Sequence, residues 1–222
     1  MTLRAILFDH DGTLVDSEPI HFEMWADVLR PFGVSLSAQQ YKVHYAGVPT
    51  RANAVDIVRR FGLDVAPDTL AEAKNAATDG FLARSAFPLM SGARAAIEAF
   101  HDLGLKLAVV TGASAGGVHV TLREHRLQRY FSTVVSGDDV GASKPAPDCY
   151  LLALDRLGLP AADGLAIEDT QHGLQAASAA GVPCLALPTA MSKHHDFERA
   201  AAVLGGMPEA VSHVRKLLEA GH

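Results

Sequence analysis

The amino-acid sequence predicts an α/β fold: a doubly wound parallel sheet interrupted by an inserted helical segment. Three observations carry that expectation. From residue 92 onward, short apolar runs alternate with helical patterns. A first apolar run, Ala5–Phe8, stands far upstream of them. Between the two, residues 17–85 read as helical with no convincing strand, so they interrupt one α/β unit made of residues 1–16 and 86–222.

Each element has its own justification. Ala5, Ile6, Leu7 and Phe8 form an unbroken apolar run, the mark of a strand buried on both faces. The run stops at Asp9, and Asp11 follows before the turn-forming pair Gly12-Thr13. Asp16-Ser17-Glu18-Pro19 has the features of a helix start: a capping side chain, an early acid and an early proline. Ile20, Met24, Val28 and Leu29 then recur at helical spacing until Phe32-Gly33. Residues 47–50 read as a turn. Residues 51–61 place Ala54, Val55, Val58 and Phe61 on one side, with Gly62 as the stop, and residues 68–84 repeat the pattern through Leu70, Ala73, Ala77 and Phe81.

The rhythm then changes. Residues 92–103 are a predicted helix closed by Gly104, and 105–110 a strand ending at Thr111-Gly112. A helix over 118–127 precedes a β-branched strand over 131–136 that ends at Gly137-Asp138-Asp139. Asp148–Leu157 is a helix closed by Gly158, 165–167 a short strand ending at Glu168-Asp169, 171–180 a helix closed by Gly181, and 182–187 a fifth strand. Right-handed crossovers between these strands give a parallel sheet with helices on both faces.

Composition narrows the partners. Of 222 residues, 49% are hydrophobic and 20% charged, as in an ordinary globular domain. With 19 basic against 25 acidic residues the formal net charge is -6, and no basic block occurs. That argues against nucleic acid and against a polybasic membrane surface. No apolar stretch reaches the length of a membrane span, and Asp9 and Asp11 interrupt the first apolar run too early for a signal peptide. Cys149 and Cys184 lie far apart in apolar surroundings, which reads as buried reduced thiols of a cytoplasmic protein.

Ligands of open parallel sheets bind at the carboxyl ends of the strands, and here each strand delivers a polar group to that edge. The first gives Asp9 and Asp11, the second Thr111-Gly112, a later loop Ser143-Lys144-Pro145-Ala146-Pro147-Asp148, and the next strand Glu168-Asp169-Thr170. Singly each has a plain explanation: the aspartates form turns, Thr111 and Thr170 cap helices, Glu168 and Asp169 favour a helix N-terminus, and Lys144 is a surface lysine. The coincidence of all four on one edge is what requires a common cause.

Those motifs resemble the haloacid dehalogenase (HAD) superfamily in its Mg²⁺-dependent phosphatase and phosphomutase branch. Phe8-Asp9-His10-Asp11-Gly12-Thr13, Val109-Val110-Thr111-Gly112, Ser143-Lys144-Pro145 and Ile167-Glu168-Asp169-Thr170-Gln171-His172-Gly173 match its four motifs in order. The resemblance implies a Rossmann-like HAD core with an α-helical (C1) cap at 17–85. It implies Asp9 as the nucleophile that forms an aspartyl-phosphate, and Asp11 as the acid and then base that serves the leaving oxygen and the attacking water. It implies Mg²⁺ on the Asp9 carboxylate, the Asp11 main-chain carbonyl and Asp169, with Glu168 either a further ligand or a support behind them. Thr111, the Gly112 amide and Lys144 are then the phosphoryl-binding groups.

The stretch from Asp16 to Trp25 resembles the β-phosphoglucomutase and sugar-phosphatase branch. Glu18 and His21 share a helix face with Trp25 by spacing; Arg51 and Lys74 fall near cap positions of that branch that meet substrate. Two departures favour hydrolysis over a mutase: Ala113-Ser114 carry no cation after the second motif, and Thr13 replaces a hydrophobic residue. Asp11 is absent from true dehalogenases and from most phosphonatase-like relatives, and a receiver domain is about half this length. The resulting expectation is a phosphatase of a small phosphorylated sugar or polyol, a monomer or weak homodimer. β-Phosphoglucomutase and phosphoglycolate phosphatase are the alternatives. His10, between the two aspartates, has no role in this reading.

Overall fold

β1 (Ala5–Phe8) lies at the centre of a six-stranded sheet in the computed structural model, which describes residues 2–220. The other strands are β2 (Lys106–Val110), β3 (Phe131–Val135), β4 (Gly164–Glu168), β5 (Cys184–Ala186) and β6 (Ala202–Val203). Their order is β3-β2-β1-β4-β5-β6, and every pairing is parallel. The chain therefore winds outward in both directions from β1, and the crevice where the winding reverses opens between β1 and β4. Those two strands are in direct register, Phe8 opposite Ile167, so Asp9 and Glu168 emerge side by side.

Strand alternation sorts the core into two layers. Ile6 and Phe8 join Leu107, Val109, Ile167 and Leu185 on one face, against α5 (Ala93–Asp102), α6 (Ala115–Glu124) and α9 (Met207–Ala220). Ala5 and Leu7 join Ala108, Val110, Ala166 and Cys184 on the other, against α7 (Asp148–Leu157) and α8 (Gln171–Ala179). Cys149 and Cys184 are both buried and free, as the sequence predicts. The insertion consists of α1 (Glu18–Leu29), α2 (Ala38–His44), α3 (Thr50–Phe61) and α4 (Pro67–Leu82) around a third apolar cluster that includes Trp25, Leu29, Tyr41, Ile57 and Leu70. Two crossings connect it to the sheet and run side by side: Asp16 N donates to Pro88 O at 2.8 Å, and Met90 N to Leu14 O at 2.9 Å.

The structure departs from the sequence reading in five places; in one of them the helix expected over 118–127 runs over Ala115–Glu124, ending before Arg126, whose φ is 55. A sixth strand, β6, exists, two residues long and held by β5 alone. The expected strand at 182–187 shortens to Cys184–Ala186, because Pro183 has no N–H to give and contributes only its carbonyl, to Ala166 N at 2.8 Å. Two helices are additional. α2 starts at a reciprocal capping box of Ser37 and Gln40, and α9 packs Met207, Ala210 and Val214 on the sheet.

Beyond β3, a short turn is tied to α7 by charge. Asp139 accepts from Ser136 N at 2.9 Å and Ser136 Oγ at 2.7 Å, and Arg156 donates to its other oxygen at 2.7 Å. The Arg156 bond, then those from Ser136, lower its pKa to about 2. An unfolded aspartate titrates near ~3.9, so this group stabilises the fold above that pH and the contribution is lost as pH falls towards the folded value. Asp139→Asn should therefore lower denaturant stability at neutral pH by up to about 1 kcal/mol. The gap to the parent should close as pH drops below ~4, as urea titrations across that range would read.

Candidate active site

Asp9 is the first residue past β1, and its N–H bonds Ile167 O at 3.0 Å, which ties the end of β1 to β4. Lys144 reaches this point from the loop before α7. Its ammonium donates to Asp9 Oδ1 at 2.6 Å, Glu168 Oε1 at 2.6 Å and Val110 O at 2.9 Å, with the side chain only 9% exposed. Tyr150 OH donates to the same Glu168 oxygen at 2.7 Å. Asp169 takes only a long bond, from Ser192 Oγ at 3.3 Å, and its Oδ1 is buried with no partner.

Asp9, Glu168 and Asp169 can each turn an oxygen to within 4.8 Å of the others, and all three are buried. Burial, then the charge of Asp9, pushes Glu168 up to about 7. Burial, followed by Asp9 and Glu168, carries Asp169 well above the usual carboxylate range. Asp9 is also raised by burial, although Lys144 opposes the shift. For Lys144, burial disfavours the charge, but Asp9 and Glu168 outweigh it and raise the ammonium. With all three carboxylates ionised, one ammonium would leave two negative charges in excess, and the raised pKa values express that deficit. A hard divalent cation on oxygen ligands fits that deficit, and the unpartnered Asp169 oxygen is the donor it would find.

Two glycines make the arrangement fit. Gly12 has φ +81, and a Cβ there would sit 2.3 Å from Asp169 Oδ2. A Cβ on Gly173 would sit 1.9 Å from Glu168 Oε2. Any side chain at either position would displace the carboxylate beside it.

Above the acids lies a cavity of about 520 Å³ between the sheet edge and the insertion. Asp9, Asp11, Thr111, Gly112 and Lys144 line its floor; Glu18, His21, Trp25 and Lys74 line its far wall. Thr111 is buried and accepts from Ala113 N at 3.1 Å, which shapes the turn that presents Gly112. The Asp11 carboxylate faces a different set from the acidic trio. Ser17 Oγ donates to its Oδ1 at 2.6 Å, His10 Nδ1 lies 3.2 Å from Oδ2, and His21 Nε2 lies 3.7 Å from Oδ1. Burial works against its charge, yet His10 and His21 hold it well below the ordinary aspartate value. Its main-chain carbonyl accepts no backbone hydrogen bond among the described residues.

On the far wall, Glu18 accepts from Tyr41 OH at 2.6 Å and Gly47 N at 3.0 Å. Lys74 is 2% exposed, donates to Thr78 Oγ1 at 2.8 Å and lies 3.1 Å from His21 Nδ1. Burial lowers its pKa to about 8, against the pull of Asp11 and Glu18. Arg51 is not brought to the site. It lies on the outer surface, 78% exposed, its Nε 3.0 Å from Asp68 Oδ1, because one turn of α3 and the start of α4 place that acid within reach. Spacing alone did not reveal His10 as a partner of Asp11, or Tyr41 and Tyr150 as donors to buried acids.

A doubly wound sheet with acids at its switch point narrows the class of protein, and comparison with known proteins supplies the family. The family described as haloacid dehalogenase-like hydrolase matches residues 6–187, and the chain belongs to it. It is similar to Protein CbbY of Cereibacter sphaeroides, 31% identical over 93% of this chain and 94% of that one. It is also similar to the fructose-1-phosphate phosphatase YqaB of Escherichia coli, 34% identical over 80% of this chain and 93% of that one. The crystal structure of CbbY from Rhodobacter sphaeroides in complex with phosphate superposes with a TM-score of 0.81 at 27% identity, over 94% of this chain and 96% of that one. No described helix is long and apolar enough to cross a membrane.

If the trio takes a divalent cation, saturating the metal-free chain should raise its melting temperature, with about 2.7 kcal/mol of stabilisation at 100 times Kd. Asp169→Asn should remove most of that gain, which differential scanning calorimetry with and without the ion would show.

Proposed function

We propose that the chain is a magnesium-dependent phosphatase that hydrolyses a small phosphorylated sugar or polyol by way of a phosphorylated Asp9. One observation carries the reading: Asp9 opens onto the cavity, 2.6 Å from a buried ammonium, with two further buried acids beside it. The phosphatase relative and the phosphate-bound neighbour support it. Residues 17–85 are the cap in this reading, and 1–16 with 86–222 the core.

Asp9, Asp169 and the Asp11 carbonyl would hold the Mg²⁺. Glu168, one oxygen of which takes both Lys144 and Tyr150, is either a further ligand through its other oxygen or a support behind them. When bound, the ion supplies the positive charge that lets a phosphoryl dianion approach anionic side chains. Lys144, Thr111 and the Gly112 amide orient the phosphoryl oxygens. A carboxylate oxygen of Asp9 attacks phosphorus, and the bond to the leaving oxygen breaks. That oxygen keeps the electron pair and takes a proton from Asp11, which His10 and His21 keep ionised without substrate and which takes that proton up from solvent as the phosphoryl dianion beside it raises its pKa. Asp11, now a carboxylate, accepts a proton from water, whose oxygen attacks phosphorus and frees Asp9 as phosphate departs.

The far wall favours a neutral, hydroxylated leaving group. Among its described residues Lys74 is the one ammonium or guanidinium that lines the cavity, and it stands among Glu18, Asp79, Thr78 and Asn75. A second phosphate, as a mutase needs, has no cluster of cations to receive it, since Arg51 pairs with Asp68 outside.

The deciding assay is phosphate release from a panel of sugar, polyol and glycolate phosphates with Mg²⁺ or with chelator. Release should require the ion, and Asp9→Asn should cut kcat at least ~1,000-fold. Efficient interconversion of β-glucose 1-phosphate and glucose 6-phosphate with little phosphate freed would overturn the reading. A pH series adds a second expectation. Lys74 loses its charge as pH rises through about 8, so KM for an anionic substrate should climb above that pH. Lys74→Met should start from a higher KM and lose that rise.

A further inference from the structure

His10 stands between the two aspartates of β1's outlet and is 1% exposed. It lies two residues past the end of β1, and its ring Nδ1 is 3.2 Å from Asp11 Oδ2. With Oδ2 as the acceptor Nδ1 carries the proton of this bond, and the bond holds whether or not the other oxygen of Asp11 is protonated. The ring is also fixed at its base, because the His10 carbonyl accepts from Leu14 N at 2.9 Å and Val15 N at 3.0 Å. Its remaining nitrogen, Nε2, is buried without a partner. The side chain's one polar engagement among the described residues is therefore with Asp11.

Asp11 needs such a restraint. It lies two residues from Asp9, and its carboxylate is drawn toward any cation held there. Ser17 bonds Oδ1 from the start of the insertion and His21 approaches the same oxygen at 3.7 Å, but contacts on one oxygen leave the group free to swivel about it. A donor on the second oxygen fixes the plane of the carboxyl group. We infer that His10 is a positioning residue for proton transfer, holding the Asp11 carboxyl group apart from the acidic trio and facing the cavity where the leaving oxygen must lie. The inference rests on the phosphatase reading above.

Leaving-group dependence separates this role from a structural one. A sugar alkoxide cannot depart without Asp11's proton, whereas p-nitrophenolate can. The side-chain amide nitrogen of Asn superposes on His Nδ1, and that of Gln on Nε2, so His10→Asn keeps the bond and His10→Gln loses it at similar polarity. Measured as kcat/KM with Mg²⁺, which reports transfer to Asp9, His10→Gln should lose about 10- to 100-fold on fructose 1-phosphate and stay within about 3-fold on p-nitrophenyl phosphate. His10→Asn should stay within about 3-fold on both. Should the Gln variant not fold, His10→Leu takes its place with the same expectation. Equal losses on the two substrates, or Asn and Gln variants that behave alike, would overturn the role of His10 and leave the phosphatase reading standing. Where another sugar or polyol phosphate of the panel is the better substrate it replaces fructose 1-phosphate with the same expectation, and a parent that frees phosphate from neither the panel nor p-nitrophenyl phosphate would remove that reading itself.

Discussion

Asp9, Glu168 and Asp169 are buried together with one ammonium, that of Lys144, and the rest of the molecule is arranged to tolerate them. Like unit charges ~4 Å apart repel by roughly 4 kcal/mol at an effective dielectric of ~20. Such a cluster persists only where rigid elements leave the acids no alternative. β1 and β4 do this by pairing Phe8 with Ile167, which fixes the distance between the acids that follow. The loop before α7 delivers Lys144 between two of them, and Tyr150 on α7 satisfies the oxygen that would otherwise be overloaded with charge.

The same logic explains why the site sits at the reversal of the sheet. Both layers of apolar side chains are complete on either face of β1, so the strand's end cannot shift without disturbing a core. The insertion then closes the space above. Lys74, His21 and Asp11 form a line of polar groups from α4 through α1 to the sheet edge, at 3.1 and 3.7 Å. A change of protonation or of packing in the helices is therefore felt by the Asp11 carboxyl group.

Much of this was legible in the sequence because the relevant signals are local. The run Ala5–Phe8 ending in an acid, the glycines that stop helices, and the polar residues after each apolar run place the sheet edge without any knowledge of contacts. What was not legible depends on distant partners. β6 is two residues long and exists only through β5, so no periodicity announces it. Arg51 is placed by Asp68, 17 residues away, and not by its own motif. His10 lies past the end of β1, where no strand period applies, and its contact with Asp11 is a matter of side-chain geometry. By contrast, α2 carried a readable signal in Ser37 and Gln40, and α9 in the spacing of Met207, Ala210 and Val214.

The two crossings of the insertion form a neck. Leu14 to Asp16 run antiparallel to Pro88, Leu89 and Met90, bridged at Val15 and Leu89. The chain thus departs and comes home at one doorway, and the order of the sheet strands is the same whatever lies beyond it. Exchanging α2 and α3 would reshape the wall above the acids and leave Asp9, Lys144, Glu168 and Asp169 on their sheet, whereas α1 would have to stay, since His21 and the Ser17 before it reach Asp11. The outer wall and the sheet edge are thereby separable traits, and a lineage built on this plan can diversify the first while it keeps the strands that carry the second.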